Sequence, residues 1–203
     1  MPIRRLILLR HGETDGPSSL RYFGGTDIPL SAAGRAQMRR AALELRFVPI
    51  DLFLASTLRR SWESASIVSW GRPVRIEHDL REIHFGRWEG LTREEIQARD
   101  PDLFEQWQQA PEEFDYPNGE PRARFRERVH RAIDAALSAP GHTALAVLHK
   151  GVIREIVLHL TGQRLESGHP PLGERVVLTR RLDGPWRLGQ RSSDPPGLHE
   201  KAA

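Results

Sequence analysis

Short apolar runs that end abruptly in charged residues, separated by stretches of helical periodicity, most constrain what this chain can become. Residues 3–9, 51–55, 74–77 and 144–148 each read as a strand, and the first, rich in Ile and Leu and closed by Gly12, reads as covered on both faces. Between them, Met38, Ala41, Ala42 and Leu45 share one helical face behind a Ser31 cap. Leu58, Trp62, Ala65 and Val68 share another, which stops at Gly71. Thr92 and Glu95 form a capping box with Leu91 and Ile96 as its staple, and Pro101 suits the first position of the next helix. Phe125, Val129, Ala132, Ile133, Ala136 and Leu137 mark a longer helix. Val152, Ile153, Ile156, Val157 and Leu160 mark one that ends at Gly162. Strands alternating with helices imply an α/β fold with a mostly parallel sheet covered on both faces. Right-handed crossovers then bring the strand ends to one edge, where Arg10, His11, residues 56–59, Glu82 and His149 converge.

The remaining segments are loops. Residues 12–30 carry Gly12, Gly16, Pro17, Gly24, Gly25 and Pro29, and a connection this long favours a functional role. Residues 110–121 are acidic and proline-rich; with Phe104, Trp107, Phe114 and Tyr116 they read either as a lid or as a local core. Residues 176–179 and 186–188 flank Asp183-Gly184 as a hairpin. One domain over residues 1–191 and a disordered tail over 192–203 are expected.

Composition narrows the class. The chain has 203 residues, no cysteine and a net charge of +3, so neither disulfides nor thiolate metal sites arise. Its arginines alternate with glutamates instead of clustering, which speaks against a nucleic-acid face. The first apolar stretch is short and interrupted by Arg4 and Arg5, so neither a membrane span nor a secretory leader is expected, and the expected location is the cytoplasm. Oligomeric state stays open, a homodimer included.

Two histidines, arginines and one glutamate at one edge, without metal-ligand spacing, suggest phosphate chemistry. A guanidinium matches phosphate oxygens and keeps its charge at any working pH. A neutral imidazole can accept a phosphoryl group, and a carboxylic acid can protonate the leaving alcohol. His78, His84, His130, His142, His159, His169 and His199 show no paired spacing and read as structural or exposed, and Trp62 reads as core.

The stretches 9–14 (LRHGET), 26–31 (TDIPLS) with Gly34, 56–59 (STLR), 80–82 (LRE) with 85–90 (FGRWEG), and 147–154 (VLHKGVIR) resemble the histidine phosphatase superfamily. The resemblance spans most of residues 3–160 and is closest in pattern to α-ribazole phosphatases and broad-specificity relatives. It implies a three-layer α/β/α sandwich and a phosphomonoesterase that needs neither metal nor organic cofactor. It also implies His11 as phosphoryl acceptor, with Arg10, Arg59 and His149 completing the phosphate pocket and Glu82 as proton donor. The partner is then a small phosphate ester, α-ribazole-5'-phosphate among the candidates, with Arg21 and Gly24 as further substrate contacts.

Three positions depart from the family pattern. Pro17 and Phe23 stand where relatives often carry polar residues, so Ser18, Ser19 or the Gly24 N–H would have to replace two phosphate contacts. Lys150 replaces a small residue and either points into solvent or adds positive charge at the pocket. A phosphoglycerate mutase is the enzymatic alternative, but the 66 residues between Glu82 and His149 are short for that role. A phospho-ligand-binding protein without turnover is the non-enzymatic one.

Overall fold

The computed structural model describes residues 2–182 and 184–189. Six strands form one sheet: β1 (Arg5–Arg10), β2 (Leu52–Ala55), β3 (Val74–Ile76), β4 (Thr143–Leu148), β5 (Arg175–Thr179) and β6 (Arg187–Leu188), in the order β3-β2-β4-β1-β5-β6. The first four of that order run parallel, β5 runs antiparallel to β1, and β6 pairs antiparallel to β5. The hairpin expected near the C-terminus is therefore present as a strand pair; Asp183 of its turn, His199 and the tail over 192–203 lie outside the described residues.

Helices cover both faces. They are α1 (Ala32–Leu45), α2 (Arg59–Val68), α3 (Arg93–Arg99), α4 (Pro101–Gln109), α5 (Arg122–Leu137) and α6 (Lys150–Thr161). Leu6 and Leu8 pack with Ala144, Ala146 and the apolar faces of α5 and α6, whereas Ile7 and Leu9 pack with Leu145, Val147, α1 and α2. This is why the strands are apolar without alternation: successive side chains enter different cores. Full burial of each such Leu or Ile stabilises the fold by about 1.5–3 kcal/mol.

The helix boundaries follow local chemistry. Ser31 accepts from the Gly34 N–H at 3.1 Å at the start of α1. Thr92 and Glu95 make both bonds of the capping box on α3, Pro101 opens α4, and Gly162 ends α6 in the left-handed conformation with φ of 68°. α2 departs from expectation. Its buried residues are Arg60, Ser61, Ser64, Ala65 and Val68, while Trp62 is exposed, so Trp62 is not core.

The aromatic stretch resolves into a local core. Trp88 stacks on Phe114 at 5.2 Å and meets Trp107 and Tyr116 edge-on, and Phe85 packs against Tyr116 at 4.8 Å. The outer side of this core, at Phe85, Trp107 and Tyr116, forms a wall of the main cleft.

Arg128 of α5 ties the turn after β3 to the helical layer. Its guanidinium donates to the carbonyls of Asp79, Arg81 and Glu82 and pairs with both Glu120 oxygens at 2.7 Å. Replacing it by Met strips a partly buried carboxylate and three carbonyls of their partner. Arg128→Met should therefore lose about 3–5 kcal/mol in urea unfolding, with little recovery in Arg128→Lys, which lacks the fork. A midpoint equal to wild type would contradict this account.

Candidate functional site

The register of the sheet builds the site. Arg10 is opposite Leu148, so the residues that follow, His11 and His149, leave adjacent strands side by side. Their rings lie 5.2 Å apart. His11 Nδ1 is 2.7 Å from the Gly12 carbonyl, a contact that requires Nδ1 to carry the proton and leaves the Nε2 lone pair free. Gly12 is required by close approach: a Cβ there would come within 2.5 Å of the Gly34 carbonyl oxygen.

His149 Nε2 is 2.7 Å from Ser56 Oγ, which also accepts the Leu58 N–H at 3.2 Å. If the serine spends its single proton on His149 Nε2, Nδ1 becomes the donor. That Nδ1 is buried and has no hydrogen-bond partner among the described residues, and the same holds for Arg10 Nε and Arg60 Nε. Both arginines and His149 interact electrostatically with His11. With that tautomer, three buried and unpaired N–H groups belong to residues that interact with the His11 imidazole, a donor set suited to a tetrahedral oxyanion.

The arginine at this centre is Arg60, not Arg59. Arg59 is exposed, pairs through Nε with Glu63 at 2.6 Å and caps with its backbone N–H on Asp27. Arg60 is fully buried and donates to the carbonyls of Phe23, Gly24 and Thr26. One residue turns a helix by about 100°, and the orientation is set by Ser61, whose Oγ donates to the Val147 carbonyl at 2.6 Å, and by Ser64, against the Gly12 N–H. The small-residue pattern Ser61, Ser64, Ala65 marks this buried face in the sequence, with Arg60 four residues before Ser64.

Two other expected contacts are committed elsewhere. The Gly24 N–H donates to Glu89, as do those of Gly25 and Thr26, while the Gly24 carbonyl accepts from Arg60. Arg21 stands on the cleft wall, but its guanidinium is bound to Glu95 and the Gly90 carbonyl. Ser18 Oγ is taken by Glu13 at 2.8 Å, and Glu13 also accepts the Ser19 N–H. Pro17 lends its carbonyl to the N–H groups of Leu20 and Arg21, and Phe23 lines the cleft. Lys150 is half-buried and lines the cleft as well, which favours the pocket over solvent among its two readings.

Glu82 is buried at the floor of the same cleft, a cavity of about 910 Å³, with His11 and Arg10. One carboxylate oxygen accepts the Ile83 N–H at 3.1 Å and the other the Gly151 N–H at 2.9 Å. A Cβ on Gly151 would fall 2.5 Å from Glu82 Oε1, so any side chain there displaces the carboxylate.

Burial, the positive charge of Arg60 and then that of Arg10 hold His11 well below the ordinary imidazole pKa. Burial and Arg60, followed by His11 and Arg10, do the same for His149. Both rings are therefore neutral bases in the folded protein. The unfolded chain takes up protons on them as pH falls through about 6.5 and the native state does not, so stability is lost on acidification. Between pH 6.5 and 5 the unfolding free energy should fall by up to about 1.4 kcal/mol per pH unit for each histidine. Urea midpoints that stay flat over this range would refute the neutral burial of the pair.

Residues 6–183 match the model of the histidine phosphatase superfamily, branch 1. The chain is 34% identical over 167 residues to the adenosylcobalamin/α-ribazole phosphatase of Escherichia coli, covering 80% of this chain and 82% of that protein. It is 32% identical over 183 residues to the glucosyl-3-phosphoglycerate phosphatase of Mycolicibacterium vanbaalenii, covering 85% and 80%. The crystal structure of a mycobacterial glucosyl-3-phosphoglycerate phosphatase superposes with a TM-score of 0.81 at 27% identity, over 95% of this chain and all of that one. The three-layer arrangement, the paired histidines at the strand ends and these matches agree, and the chain belongs to the histidine phosphatase superfamily.

Proposed function

We propose that this protein is a phosphomonoesterase that hydrolyses a small phosphorylated metabolite through a phosphohistidine at His11. The observation that carries the reading is the set of buried, unpaired donors on Arg10, Arg60 and His149 around an imidazole whose Nε2 is free. Arg10 and Arg60 hold and polarise the phosphoryl group and stabilise the charge of its oxygens as it transfers. Membership in a family whose named relatives are phosphatases supports hydrolysis as the outcome. The same names put α-ribazole-5'-phosphate and phosphoglycerate-derived esters into the test panel.

In the first step His11 Nε2 attacks phosphorus, the bond from phosphorus to the ester oxygen breaks, and the Glu82 carboxylic acid delivers its proton to the departing oxygen. In the second the Glu82 carboxylate takes a proton from water, whose oxygen attacks the phosphohistidine. The P–N bond breaks, releasing inorganic phosphate and restoring neutral His11. Each Glu82 oxygen accepts one backbone N–H and keeps its other lone pair for this exchange.

Labelling with a ³²P ester should give an acid-labile, base-stable phosphoenzyme in wild type and none in His11→Ala; label that survives in that variant removes His11 from the reaction. The two adjacent arginines give a second test. Arg60→Lys keeps charge but loses the fork and should lower kcat/KM by about 10²–10³-fold. Arg59→Ala, which removes a surface pair worth at most about 1 kcal/mol, should change it less than about three-fold. The reverse order would return the phosphate contact to Arg59.

A further inference from the structure

The basic side chains around the outer cleft are almost all engaged. Arg21 is held by Glu95, Arg154 by Glu112 and the Glu166 carbonyl, Arg164 by Glu112, and Arg93 by Gln108 and the faces of Phe104 and Trp107. Lys150 differs. It is the first residue of α6, directly after His149, and is half-buried in the cleft wall beside Arg10 and Glu82. Among the described residues its ammonium has neither a hydrogen bond nor an ion pair, and its charged neighbours are Arg10, Arg154 and Glu82. An ammonium without a protein partner, on a partly buried side chain beside two like charges, is placed to take an anion that enters the cleft.

The phosphoryl group does not need this lysine. On the reading above its three non-bridging oxygens are matched by the three buried donors on Arg10, Arg60 and His149, and Lys150 is a further cation on the same cleft. One ammonium with its neighbours committed balances a single negative charge; a second phosphate would need donors that the surrounding arginines have already spent. We infer that Lys150 binds a carboxylate carried by the substrate a few bonds from the scissile phosphate ester, so that this chain selects phosphorylated carboxylic acids. This rests on the phosphomonoesterase reading above and names its substrate class. Burial and the positive charges of Arg10 and Arg154 depress the lysine pKa in the empty cleft, against the opposing pull of Glu82, and a bound carboxylate would raise it again.

The test compares 3-phosphoglycerate with glycerol 3-phosphate, which differ by a carboxylate against a neutral alcohol. Wild type should prefer the acid by about 10- to 100-fold in kcat/KM, the range of a charge-assisted hydrogen bond in a partly desolvated site. Lys150→Gln should bring the ratio close to one, and Lys150→Arg should keep much of it, which also shows that the position tolerates substitution. A wild-type ratio near one, a ratio unchanged in Lys150→Gln, or an equal loss on both esters overturns the inference; the last assigns the lysine to the phosphoryl group instead. Calorimetric binding of the non-hydrolysable phosphonate analogues of the same two compounds reads the ratio without turnover. Lys150-dependent preference in binding with no hydrolysis of either ester defeats the phosphomonoesterase reading alone. Hydrolysis with no such preference defeats the inference alone, and absence of both hydrolysis and binding defeats both.

Discussion

A buried guanidinium held by carbonyl oxygens instead of a carboxylate underlies the rest of this structure. Arg60 gives its terminal N–H groups to Phe23, Gly24 and Thr26, and no acid lies within ion-pair distance of it among the described residues. Carbonyl dipoles offset desolvation without cancelling the charge, so the field of Arg60 adds to burial in keeping the two histidines neutral. Glu82, Glu89 and Asp27 act on Arg60 from beyond ion-pair distance, which leaves a positive centre that a phosphate dianion would neutralise.

That arrangement depends on a second carboxylate at a distance. Glu89 collects the N–H groups of Gly24, Gly25 and Thr26, and that of Phe85, turning the intervening carbonyls toward Arg60. The glycine-rich loop is thus a bracket between an acid on one side and a base on the other. This explains why its own N–H groups are unavailable to a ligand, and why the loop needs no polar side chain at Phe23 to hold its shape.

Glu82 is placed by a parallel device. Arg128 grips the carbonyls around it, and the Gly151 N–H at the start of α6 receives its carboxylate. Both histidines are fixed by the ends of adjacent strands, and the acid by α5 and α6, so the two halves of the proposed chemistry come from different layers meeting at one sheet edge. The aromatic core around Trp88 shapes a further wall of the cleft through Phe85, Trp107 and Tyr116.

Much of this was legible in the residues alone. Apolar runs without alternation dictated a sheet covered on both faces, Thr92 and Glu95 dictated a helix start, and the alternation of strands and helices brought Arg10, His11 and His149 to one sheet edge, because these are consequences of backbone periodicity and local hydrogen bonding. What required tertiary structure was orientation. Neighbouring arginines on a helix point about 100° apart, and only the docking of α2 through Ser61 and Ser64 decided that Arg60 enters the site while Arg59 pairs with Glu63. Likewise the partners of Gly24 and Arg21, the exposure of Trp62 and the inward turn of Lys150 follow from contacts between segments tens of residues apart, which a linear pattern does not encode.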